Sequence, residues 1–198
     1  AELPKSVDAV STHKIILPES VDISNVAINN AAELEIAAGK NITMQAAQHI
    51  SFSSIIADGS GQTVTLSTAG TLTGSAAVES YVLAATGGST FTLGDAAQDV
   101  TTGGSGDTID FAGLTATGEV TTVAADTLVL DEGADIKGVD AEGNGPGTAF
   151  TANAMTLTTE RTGGSGGNTL GSQVTMTVAQ HNSVTIAAAG TADQITLF

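Results

Sequence analysis

Seven aspartates between Asp95 and Asp140 are the residues best suited to chemistry in this chain: Asp95, Asp99, Asp107, Asp110, Asp131, Asp135 and Asp140. From Asp95 to Glu142 there are eleven acidic residues against one base, Lys137. Carboxylates crowded in this way suit a hard cation, and Ca²⁺ takes about six to eight oxygen ligands near 2.4 Å. Ca²⁺ is therefore the cofactor this pattern fits. A second reading stays open beside it: the acids form a solvated side of the molecule, and Asp or Asn at a corner bonds the backbone two residues on.

Other chemistries find little support. The three histidines (His13, His49, His181) are far apart in the sequence and read as corner or surface residues. Arg161 is the only arginine, Tyr81 is the only tyrosine and there is no tryptophan, so a sugar-cleaving site would lack both basic and stacking partners. Acid–base work on sugars also needs two opposed carboxylates, and no serine sits in a Gly-x-Ser-x-Gly strand–turn–helix context. Catalysis is not expected. With 21 Asp and Glu against 5 Lys and Arg, the net charge of −16 disfavours nucleic acid and anionic membrane surfaces as partners. Cysteine is absent, which removes disulfides and thiolate sites. No stretch approaches the roughly 20 apolar residues of a membrane span, so membrane insertion is not expected.

The elements that must position these residues are short strands. T63-V-T-L66, T90-F-T-L93, T108-I-D-F111, T127-L-V-L130, T175-M-T-V178, V184-T-I186 and I195-T-L-F198 mostly alternate a small or polar residue with an apolar one. That alternation marks a strand with one buried face. Earlier pieces, I15-I-L17, V21-D-I23, V26-A-I28, L34-E-I36, I42-T-M44 and I50-S-F52, read the same way. Ala-rich pairs such as Ala46-Ala47 invite a helix, but their Ile, Thr, Asn and Gly neighbours show no sustained 3.6-residue period; a short helical cap is the alternative there. Glycine-rich corners follow from Asp58 onward, and the stretch from about Val139 to Thr151 reads as a protruding loop.

Strand and corner repeating without intervening helices indicate an all-β parallel solenoid (a β-helix) of short strands; an antiparallel sandwich or jelly roll is the alternative. A core of Val, Ile, Leu, Thr and Ala with 3% aromatics favours the narrow stack. The simplest division is an N-terminal arm over residues 1–14 and a solenoid-like domain over 15–198.

Two corners carry a family resemblance. G163-G-S-G-G-N-T-L-G171 resembles the glycine-rich nonapeptide of repeats-in-toxin proteins, with Asn168 at the Asp place and Leu170 at the large apolar place. G103-G-S-G-D-T-I-D-F111 is similar but one residue short before Asp107. By texture the chain also resembles bacterial surface-layer and adhesin proteins rich in Thr, Ala, Gly and Asp. The resemblance implies a parallel β-roll whose corners bind Ca²⁺ through carboxylate and backbone oxygens.

A stack of coils leaves strand edges open at its two ends, a template for another chain. The expected function is accordingly that of an exported structural protein, self-assembling into a surface appendage, fibre or surface layer, with copies of itself as partners. Leu3, Val7 and Val10 in the arm and Ile195, Leu197 and Phe198 at the other end are the expected assembly residues. The opening Ala1-Glu2-Leu3-Pro4 fits a processed N-terminus and a location outside the cell. The alternative is a non-polymerising adhesin that binds carbohydrate or another surface, through a loop such as 139–151. Regular Thr-x-Thr pieces (Thr63/Thr65, Thr71/Thr73, Thr90/Thr92, Thr175/Thr177) raise ice binding as a further alternative, against which their uneven spacing counts.

Overall fold

The computed structural model describes residues 6–8, 13–29, 33–131, 133–152, 154–157, 173–188 and 194–198. Its strands are short, and every strand-to-strand pairing is parallel. The chain is an all-β parallel solenoid of about seven coils, which removes the antiparallel sandwich.

The period-2 pattern dictates this arrangement. In the long sheet, Val21–Asp22, Asn41–Met44, Thr63–Leu66, Ser80–Val82, Asp99–Thr101, Glu119–Thr121 and Asp140–Ala141 stack in order. Ile42, Val64, Tyr81, Val100, Val120 and Ala141 form one inward column down that ladder, each essentially sealed from solvent. A second sheet stacks Thr71–Thr73, Thr90–Thr92, Thr108–Asp110, Thr127–Leu130, Ala154–Leu157 and Thr185–Ala188. Its inward column is Leu72, Phe91, Ile109, Leu128, Met155 and Ile186. Burying each large side chain contributes about 1.5–3 kcal/mol. Meanwhile the ladder satisfies the backbone of each interior strand from the coils on either side. Most of the few aromatics sit inside this stack: Tyr81 and Phe91 rings lie 4.7 Å apart, and Phe111 packs on Phe150.

A third wall begins with Lys14–Leu17, Glu33–Ala37 and Ser54–Asp58. Two short helices interrupt the strands: α1 (Ala46–Ser51) and α2 (Val178–Ser183). The pieces I50-S-F52 and T175-M-T-V178 are thus corrected: Ile50 and Ser51 end α1, and Val178 begins α2 after the strand Gln173–Met176. The Ala46-Ala47 pair opens the first helix instead of extending a strand.

Corners absorb the differences in coil length. At Gly103 an added Cβ would collide with the carbonyl oxygens of Leu83 and Ala84 in the coil below, so the stacked corner admits no side chain there. The stretch 139–151 does not protrude. Asp140 forms an antiparallel bridge with Pro146, Thr148 Oγ1 donates to the Ala141 carbonyl, and Phe150 is buried.

Candidate functional surfaces

Six of the seven aspartates each hold a backbone N–H. Asp95 Oδ1 accepts the Ala97 N–H at 2.9 Å, Asp110 Oδ1 the Ala112 N–H at 2.8 Å and Asp135 Oδ1 the Lys137 N–H at 3.1 Å. These are turns in which a side chain caps the backbone two residues on. Asp99 Oδ1 accepts from Glu119 N–H and Asp107 Oδ1 from Ser89 N–H, both at 2.7 Å, tying neighbouring coils together. Asp140 Oδ1 holds the Gly145 N–H at 2.7 Å. Asp135 also pairs with Lys137 Nζ at 2.6 Å. Burial pushes the Asp110 carboxyl up, its bond to Ala112 opposes that, and the nearby charge of Asp131 adds to it.

Among the described residues no three carboxylates or histidines converge as a metal-holding group. Asp107 is fully buried, and its Oδ2 has no hydrogen-bond partner among the described residues. Its corner is the shorter glycine-rich run singled out in the sequence, and Ile109 and Phe111 of that run point inward. The longer run at 163–171, with Asn168 and Leu170, lies outside the described residues, as does Arg161.

Buried glutamines brace the corners, a role the sequence reading did not anticipate. Gln48 Nε2 donates to the carbonyls of Ile23 (2.7 Å) and Val26 (2.6 Å) in the coil beneath. Gln98 Nε2 does the same to Ser75 (2.9 Å) and Val78 (2.7 Å), and Gln180 Nε2 to Ile136 (2.8 Å). Each glutamine oxygen accepts a backbone N–H of its own corner: Gln45, Gly94 and Thr177 respectively. The signal was a recurring pair of residues, Ala-Gln, at 47–48, 97–98 and 179–180.

His49 is a core residue, not a surface one. Tyr81 Oη accepts the Ser75 N–H at 2.8 Å and lies 2.9 Å from His49 Nε2. Burial lowers the imidazole from 6.5 to about 4 and pushes the phenol up, so at neutral pH a neutral imidazole and a neutral phenol share this hydrogen bond. Beside this pair runs an open groove of about 580 Å³, lined by Ile50, Phe52, Ile55, Leu72 and Thr73 among others. Ile50 stands 59% exposed at its rim.

The threonines are in better register than their sequence spacing implied. Thr71, Thr90, Thr108 and Thr127 pair successively along the outer face of the second sheet. The neighbouring rank runs Thr73, Thr92, then Asp110 and Val129, so a two-rank threonine array spans only two coils.

Among the described residues, the strands at both ends of the stack have a partner on one side only. At the first, Ser6–Asp8 pairs with Ala27–Asn29, Lys14–Leu17 with Glu33–Ala37, and Val21–Asp22 with Asn41–Met44, each on one side alone. Ile15, Leu17, Val21 and Ile28 are partly buried against the core. Val7 thus lies in a strand paired with its own chain; Leu3 and Val10 lie outside the described residues. At the other end, among the described residues, Gln194–Leu197 pairs with Gln173–Met176 alone, so Ile195 and Leu197 also join their own body. Leu197 is 45% and Phe198 68% exposed, with Lys137 Nζ 4.9 Å from the Phe198 ring centre.

No helix among the described residues is long and apolar enough to cross a membrane. Comparison with known proteins finds no matching family model, no matching curated protein and no matching solved structure.

Proposed function

We propose that this chain is an exported structural protein that builds a cell-surface appendage, fibre or layer by stacking its coils end to end with copies of itself. The observation that carries this reading is the pair of strand edges with no partner among the described residues, each bordered by half-covered core residues. Exposed parallel edges recruit further strands, and a contact between two different ends does not close on itself but propagates. The terminal segments act through their outer edges while remaining part of their own body. Catalysis has no part in this reading. Sedimentation velocity and negative-stain imaging across a concentration series test it: polymers growing with concentration are expected, and a chain that stays monomeric when concentrated refutes it.

Ca²⁺ bound along the acidic corners, as a cement between coils, is a separate part of the proposal. It is supported by the unpartnered Asp107 Oδ2 and by the Asp110–Asp131 proximity. Calorimetric titration should show heat, together with a higher melting temperature than NaCl gives at matched ionic strength. Absence of both removes calcium and leaves the assembly reading intact.

A non-polymerising adhesin is the second reading, favoured by the groove beside α1, which is large enough for a small glycan. A monomer that binds a glycan array through that groove would select it.

A further inference from the structure

The two helices belong to a long internal duplication. Ile42-Thr-Met-Gln-Ala-Ala-Gln-His-Ile-Ser-Phe52 matches Val174-Thr-Met-Thr-Val-Ala-Gln-His-Asn-Ser-Val184 at six of eleven positions. After a one-residue deletion the match resumes, Ile55 with Ile186, then Thr65-Leu66 with Thr196-Leu197. The structure reproduces it. Each copy runs strand, helix, strand, strand: Asn41–Met44, α1, Ser54–Asp58 and Thr63–Leu66 in the first, and Gln173–Met176, α2, Thr185–Ala188 and Gln194–Leu197 in the second. Equivalent residues make equivalent pairs, Ile42 with Val64 and Met44 with Leu66 in one copy, Val174 with Ile195 and Met176 with Leu197 in the other. Ser51 and Ser183 each donate to the carbonyl of their own helix's glutamine.

The copies differ in what lies on top. Over the first, Ser80–Val82 pairs in parallel with Thr63–Thr65, and Tyr81 reaches His49. Val64 and Leu66 are consequently buried. Over the second copy no strand of the described residues pairs at the equivalent surface: Leu197 is exposed, as are Val178 and Phe198. His181 has Asn182 Oδ1 at 3.2 Å where His49 has a tyrosine.

We infer that the surface formed by Gln194–Leu197, α2 and Phe198 is the seat for the first coil of a second copy, with Val21 of that copy over Ile195 and its Asp22 over Thr196. This deepens the proposed self-assembly and rests on it. The register follows from the long sheet, where Val21–Asp22 already lies against Ile42-Thr43, the residues equivalent to Val174-Thr175. Charge favours the same partner. Residues 173–198 hold a single acidic residue, Asp193, in a chain of net charge −16, so the end meets a like-charged copy where repulsion is weakest. The incoming coil brings Ile15, Leu17 and Val21, already half-covered on their own side.

The absence of cysteine makes the contact directly testable. Thr196→Cys and Asp22→Cys, both at exposed positions, are purified separately, mixed, and treated with a short bifunctional maleimide. Cross-linked dimer should exceed that in either variant alone by about tenfold, as a head-to-tail contact requires. In parallel, Leu197→Glu should abolish sedimenting polymers while the monomer, though less stable, stays folded by circular dichroism at the assay temperature. Polymers whose cross-links form only between identical variants, or that survive Leu197→Glu, overturn this inference and leave self-assembly standing. A wild-type chain that never associates overturns both.

Discussion

Gln98 shows how much one side chain holds at a corner. Its amide satisfies the buried Val78 carbonyl and the half-buried Ser75 carbonyl and Gly94 N–H. Gln98→Leu should destabilise the fold by about 2–4 kcal/mol in urea unfolding, since several partners are orphaned at once. Gln98→Glu should be worse, because a carboxylate oxygen would face two carbonyls. The His49–Tyr81 pair makes a different prediction, in pH. The imidazole sits at about 4 in the folded chain against 6.5 in its ordinary state, so the unfolded chain binds the extra proton between those values. Its contribution is fully present above 6.5 and is lost as pH falls towards 4, about 3 kcal/mol in all. His49→Gln retains an acceptor for Tyr81 but does not titrate. Comparing melting curves at pH 7 and pH 5, the variant should lose less stability than the wild type.

Among the elements, the inward columns set stability and the corners set geometry. Ile109 is completely buried between Phe91 and Leu128, and Ile109→Ala should cost about 2–5 kcal/mol. Gly103→Ala, which pushes a methyl into the carbonyls beneath, should cost about 1–3 kcal/mol. Both follow from denaturant midpoints. Strands such as Thr63–Leu66 and Thr127–Leu130 were legible residue by residue, because alternation is a local property. The helices were harder. Thr177 and Gln180 form a capping box that the sequence displays, yet the Gln48 and Gln180 side chains gain their meaning from carbonyls at Ile23 and Ile136. Those partners lie 25 and 44 residues away and are invisible to a local reading. The acidic corners were legible as turns, whereas the partition of each carboxylate between its own corner and the next coil needed the stacking order.

At the scale of the whole molecule, two opposing terms govern association. A charge of −16 repels copies at long range, while in the proposed self-assembly apolar contact at the ends would attract them. Screening shortens the first to about 10 Å at 0.1 M salt and leaves the second largely intact. Raising NaCl from about 0.01 M to 0.5 M should therefore increase the sedimenting fraction, an effect read directly in the ultracentrifuge. A drop instead would mean that ion pairs hold the ends together. The duplication escaped the sequence reading because its two halves are separated by coils of the same texture, and because a deleted residue breaks the register midway.

One property of the ladder reaches further. Along the second sheet the step from Leu72 to Phe91 takes 19 residues, as does that from Ile109 to Leu128, whereas Leu128 to Met155 takes 27 and Met155 to Ile186 takes 31. The strands of this sheet stay in phase although the lengths of chain between them differ. Such a rod can lengthen its corner excursions, or carry grafted peptides on them, without shifting the axial pitch of about 4.8 Å. Its surface is thereby free to diversify, while its spacing works as a fixed molecular ruler.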